Sequence, residues 1–164
     1  MFTDPQIEER TAQHYAGIRV QVPVQEFQVI IPQLIDEVVS WLGAYDITPD
    51  GPPLMRFHVI NMDGKMDVEL GVRVATVVSG DDRISAGIIP AGRYATLIYT
   101  GVENGIASNA ALIDWAMRQG LVWDRWDTPE GDAFGARVEF YLTEPEDEPD
   151  PAQWETEVAI RLAE

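Results

Sequence analysis

Cysteine is absent from the 164-residue chain, which excludes a disulfide framework, a thiolate nucleophile and Cys-ligated zinc. Positive charge is scarce: 11 basic residues stand against 28 acidic ones, a formal net of −17. A surface of that sign repels phosphate backbones, so direct nucleic-acid binding is not expected, while cationic ligands or partners are favoured. The same charge also serves plain solubility or a high-salt habitat. No run of about 18 apolar residues occurs, so no membrane-spanning helix is expected. Met1-Phe2-Thr3-Asp4-Pro5 lacks the basic-then-apolar pattern of a signal peptide, and a cytoplasmic location is the default. His14 and His58 are isolated, which supports neither a metal site nor a triad. Gly101 to Gly105 lacks the lysine and spacing of a phosphate loop. No cofactor and no metal are expected.

What is present reads as one domain, with 46% hydrophobic residues. Ile7 to Val22 ends in strict alternation and predicts a strand closed by Pro23. Leu34, Ile35, Val38, Val39 and Leu42 recur at helical spacing, with Gly43 as a stop and Pro32 expected in the first turn. Thr48 to Pro53 is a loop by composition. Strands follow at Leu54–Asn61 and Met66–Val78, joined by Met62-Asp63-Gly64-Lys65, whose Asp-Gly pair signals a hairpin.

After Gly80-Asp81-Asp82-Arg83 the order repeats. Ile84 to Thr100 carries a strand after the Pro90-Ala91-Gly92 break, ended by Gly101. A helix follows over Ile106–Gln119, with Ala110, Ile113, Ala116 and Met117 as its inner stripe. A loop holds Trp123, Trp126 and Gly131. The next strand, Arg137 to Pro145, places Val138, Phe140 and Leu142 on one face and Arg137, Glu139, Tyr141 and Thr143 on the other. That second face sets a carboxylate beside a phenol; it suits a cation or a polar handle on an aromatic ligand, and equally the solvent side of an antiparallel sheet. Trp154–Leu162 is the last strand.

Two strand–helix–strand–strand units, about 1–80 and 81–164, account for this order. Their helices align with Trp41 matching Trp115, and Glu69 and Glu157 fall at equivalent points of the two last strands. Laid side by side the units make one antiparallel sheet with both helices on one side. The opposite face is then expected to hold an open groove between the halves.

With these pieces in order the chain resembles the GyrI-like domains, also found as effector-binding domains of AraC-type and MerR-type regulators such as Rob and BmrR. The matching residues are Ile89-Pro90-Ala91-Gly92-Arg93-Tyr94, Tyr99-Thr100-Gly101, Asp114-Trp115, Glu139-Phe140-Tyr141-Leu142-Thr143-Glu144-Pro145 and Pro149-Asp150-Pro151 leading to Trp154-Glu155-Thr156-Glu157-Val158. Val68-Glu69-Leu70-Gly71-Val72 also fits, and nearly the whole chain is covered. The resemblance implies a pocket for flat, hydrophobic, often cationic compounds, with a buried glutamate meeting the charge. Glu139 stands at the matching place. Trp123, Trp126, Tyr94, Tyr99, Trp115, Phe57 and Tyr141 are the expected ligand-lining rings. No helix-turn-helix or coiled coil is seen, so a stand-alone form is expected, as monomer or homodimer.

Two alternatives accompany this reading. Some stand-alone members look like hydrolases of cyclopropane-bearing, DNA-alkylating compounds, for which Glu139 would be the base and Tyr141 the hydrogen-bond donor, about 7 Å apart along the strand. Another use of the family, gyrase inhibition, implies binding to a protein partner.

Overall fold

Strand order explains how the molecule is closed. The computed structural model describes Met1–Glu164 and contains β1 (Gln6–Arg10), β2 (Gln13–Val22), α1 (Phe27–Ala44), β3 (Pro49–Ile60), β4 (Met66–Val74), β5 (Ser85–Ile89), β6 (Gly92–Thr100), α2 (Gly105–Arg118), β7 (Arg125–Thr128), β8 (Gly131–Phe134), β9 (Arg137–Tyr141) and β10 (Glu155–Arg161). The strands run β1-β6-β10-β9-β3-β4-β2-β5, every pair antiparallel, with the β7–β8 hairpin attached to β3. β1 lies at one edge and β2 beside the other, yet only Thr11 and Ala12 separate them. So short a link spans at most about 11 Å, and the sheet must curl to bring its ends together. The two halves thereby exchange their leading strands: β1 pairs with β6 and β5 with β2.

Register exposes the internal symmetry. Ile18, Leu70, Met55, Glu139, Val158 and Leu97 form one row across six strands. From either end the row passes two aliphatic residues on equivalent strands and then reaches Met55 or Glu139, so a pseudo-twofold axis passes between those two residues.

Both faces of the sheet are covered. On the outer face Leu34, Val38 and Leu42 of α1 pack on Ile18, Met55, Leu70 and Val72, while Leu112 of α2 packs on Leu97, Val158 and Ile160. Inside the curl, Tyr15, Leu54, Tyr94, Val138 and Phe140 fill the space with their own side chains. The open groove expected opposite the helices is therefore absent. In β9, Val138 and Phe140 point into the curl, and Glu139 and Tyr141 share the helix side with Met55.

Other expectations shift for local reasons. Pro32 lies inside α1, its second turn, because the helix begins at Phe27; its missing N–H costs one bond near an end already short of partners. The proline-rich stretch expected as a loop opens β3: the register breaks between Pro49 and Pro53, so the prolines avoid the regular ladder. The Trp126 region forms the β7–β8 hairpin rather than a loop. On α2 the buried stripe is Ser108, Leu112 and Ala116, about a third of a turn from the stripe expected. Ala110, Ile113 and Met117 are exposed. No helix is long and apolar enough to cross a membrane.

Candidate functional site: a trough between the helices

With one helix per half, the strip of sheet at the pseudo-twofold axis lies between the two helices. β9 crosses that strip, and its alternation turns Arg137, Glu139 and Tyr141 toward it. Tyr99 of β6 donates its hydroxyl to Glu139 Oε1 at 3.1 Å. Gly105, at the start of α2, makes room for that phenol: a Cβ there would lie 3.1 Å from the Tyr99 oxygen. Asn109, one turn further on, lies close enough to the Glu139 carboxyl to favour its ionised form. It accepts at Oδ1 from Arg137 Nη2 at 3.0 Å, and its Nδ2 donates to the Gly105 carbonyl at 2.9 Å. The Tyr141 hydroxyl reaches only the Met55 sulfur, at 3.5 Å.

Glu139 keeps partial contact with solvent, but densely packed protein surrounds it. Burial pushes its carboxyl above the usual carboxylate range, against the downward pull of Tyr99, Arg137 and Asn109. Burial, reinforced by the nearby Glu139 charge, also pushes the Tyr99 and Tyr141 phenols up. Both therefore stay protonated at neutral pH and remain hydrogen-bond donors.

The walls are apolar. Ile106 and Ile113 stand at i−3 and i+4 from Asn109, hence on the same flank of α2, and Ile106 is 80% exposed. Val39 of α1, exposed as well, matches Ile113 in the alignment of the helices. Phe57 lies on the helix side of β3, two residues from Met55, with its ring 6.4 Å from that of Phe27 on α1. The trough between the helices thus brings a carboxyl among phenols to the sheet face from which the aliphatic flanks of α1 and α2 rise.

Of the residues expected from sequence, the structure brings Glu139, Tyr99, Tyr141 and Phe57 to this side. Tyr94 lies inside the curl, its hydroxyl on the Pro90 carbonyl at 2.5 Å. Trp115 packs from the flank of α2 turned away from Asn109, and Trp123 packs beside it where its backbone bridges Leu162. Trp126 stands on β7, 52% exposed. None of these four meets Glu139. Asn109 and Arg137 are the residues that sequence reasoning passed over; Arg137 shares the Glu139 face of β9, and that parity was the available signal.

The equivalent glutamates are structural. Glu69, inside the curl, accepts from the Tyr15 hydroxyl at 2.5 Å and pairs with His58 Nε2 at 2.9 Å. Burial alone would raise its carboxyl, but the His58 and Tyr15 bonds hold it below the usual range. Glu157 pairs with Arg10 at 2.8 Å.

Comparison with known proteins agrees with this architecture. The GyrI-like small molecule binding domain family matches residues 3–163. The EcmrR C-terminal domain superposes with a TM-score of 0.74 at 20% identity, covering 98% of each chain. EcmrR in its DNA complex with RPo gives 0.77 at 18% identity; the match covers 99% of this chain but 58% of that one. A hydrolase from Listeria innocua gives 0.63 at 14% identity over 97% of this chain and 91% of the other. SAV2435 bound to tetraphenylphosphonium gives 0.60 at 10% identity, over 98% and 94%. No curated protein matches the sequence.

Proposed function

This chain belongs to the GyrI-like small-molecule-binding domain family, and we propose that its inter-helix trough binds a hydrophobic, aromatic, positively charged molecule with Glu139 as the charge acceptor. One observation carries the reading: Glu139 is an acid set among Tyr99, Tyr141 and Arg137 on the helix side of the sheet, where α2 leaves Ile106 and Ile113 exposed. A desolvated carboxylate and nearby ring faces favour a lipophilic cation, each by on the order of 1–2 kcal/mol. The likeness to SAV2435, captured with such a cation, points the same way.

Titration calorimetry tests it with tetraphenylphosphonium against neutral triphenylphosphine oxide. The cation is expected to bind about tenfold or more tightly, a difference of ~1.4 kcal/mol, and Glu139→Gln to erase the preference. Equal affinity for the two compounds in the wild type sinks the reading.

A second reading, hydrolysis of a cyclopropanoid or similar strained electrophile, is favoured by the raised Glu139 carboxyl, since acid–base work wants a group that titrates nearer neutrality. Tyr99 rather than Tyr141 would then hold the acid in place. Mass spectrometry of such a compound after incubation decides: ring opening beyond one equivalent supports turnover, and stoichiometric binding alone removes it.

A further inference from the structure

Arg137 is an arginine enclosed by protein whose partners are incomplete. Arg10, Arg19, Arg83, Arg118, Arg125 and Arg161 each hold a carboxylate in an ion pair; Arg137 is in none, nor are the half-buried Arg73 and the exposed Arg93, which water can reach. Arg56, also without an ion pair, spends its guanidinium on the Ile88 and Gly135 carbonyls. Arg137 makes a single side-chain hydrogen bond, to Asn109, out of five N–H groups. Its guanidinium lies 4.9 Å over the Phe134 ring, which fixes its plane and leaves the edge free. The unused nitrogens are not sealed off, unlike Nε of Arg56, and the side chain stands on the same face of β9 as Glu139. Burying a cation with so few partners is costly, and burial accordingly draws its pKa down.

Resting on the reading of the trough as a ligand site, we infer that Arg137 is its second anchor, receiving a carboxylate, so that the favoured ligand is an aromatic zwitterion with its cation on Glu139 and its anion on Arg137. The two side chains are two residues apart on one strand face, about 7 Å along it, which suits charges set at two points of one small ring system. The fork of a guanidinium matches a carboxylate with two parallel bonds. Every other field of the molecule opposes an anion, because the net charge is −17; a bound carboxylate would report Arg137 alone.

Rhodamine 110 and its methyl ester, rhodamine 123, differ only in whether the carboxylate is free, and fluorescence anisotropy reads both. The wild type is expected to bind the free acid at least tenfold more tightly than the ester. Arg137→Gln is expected to bring the two dyes together by weakening the acid alone, whereas Glu139→Gln weakens both. Ester binding as tight as acid binding in the wild type overturns the inference and leaves the cation reading standing. Binding of neither dye overturns both. Should circular dichroism show Arg137→Gln unfolded, Arg137→Lys, which keeps the charge, is expected to retain part of the preference; its loss there counts against Arg137 as an anchor.

Discussion

At the scale of single residues, the chemistry of Glu139 depends on a balance that pH can tip. Its carboxyl is raised by burial in the folded protein, so the native state holds this proton more tightly than the unfolded chain does. The stability it contributes is full below the ordinary carboxylate value and is lost as pH rises through the raised one. Melting scans from acid to neutral pH should therefore show Glu139→Gln gaining on the wild type as pH climbs, by a few degrees at pH 7.5. A gap that stays constant contradicts the raised carboxyl. The same titration governs binding: only the ionised form attracts a cation, so affinity for tetraphenylphosphonium should strengthen with pH across that interval. Tyr99→Phe removes a donor that favours the ionised form and should move the midpoint of this binding profile to higher pH, which calorimetry at stepped pH would read.

At the scale of elements, α2 separates support from recognition around its circumference. Ser108, Leu112 and Ala116 seat it on the sheet, and Ala116 is fully buried. Ala116→Leu should overpack that contact and cost about 1–3 kcal/mol in denaturant titrations. Ile106→Ser, on the exposed flank, should change stability by less than about 0.5 kcal/mol yet weaken ligand binding several-fold; an unchanged affinity would remove α2 from the wall. This division also explains how far the sequence could be read. Strand alternation identified which residues share a face of β9, and the near-repeat of Trp41 and Trp115 identified the duplication. Alternation cannot say which face carries the helices, and that depends on the curl forced by the Arg10–Gln13 link. The apolar stripe of Ala110, Ile113 and Met117 was misplaced because the wall of an apolar trough and the seat of a helix present the same residue types. Arg137 was legible as a neighbour of Glu139 but carried no sign that it would lack a partner.

At the scale of the whole molecule, charge and symmetry set the remaining behaviour. With a net of −17, the association rate of a cationic dye should fall steeply between 0.01 and 0.15 M salt, roughly the range over which the screening length shrinks from 30 to 8 Å. A salt-independent rate in stopped-flow measurements would show that the surface field does not reach the trough. Acid should act through Glu69, whose carboxyl sits below the usual range in the folded state. Its contribution is present above the unfolded value and is lost as pH falls through the folded one, so Glu69→Gln should be less stable than the wild type at pH 7 and lose that deficit on acidification. A deficit that persists into strong acid would contradict this. The axis between Met55 and Glu139 has a further corollary for ancestry. Two identical half-length peptides associating as a dimer would set the same side chain on both sides of that axis: a pair of thioethers with no acid, or a pair of glutamates repelling each other one strand apart. A lone carboxyl at the centre demands unlike halves, so divergence of the two units was a precondition for this site.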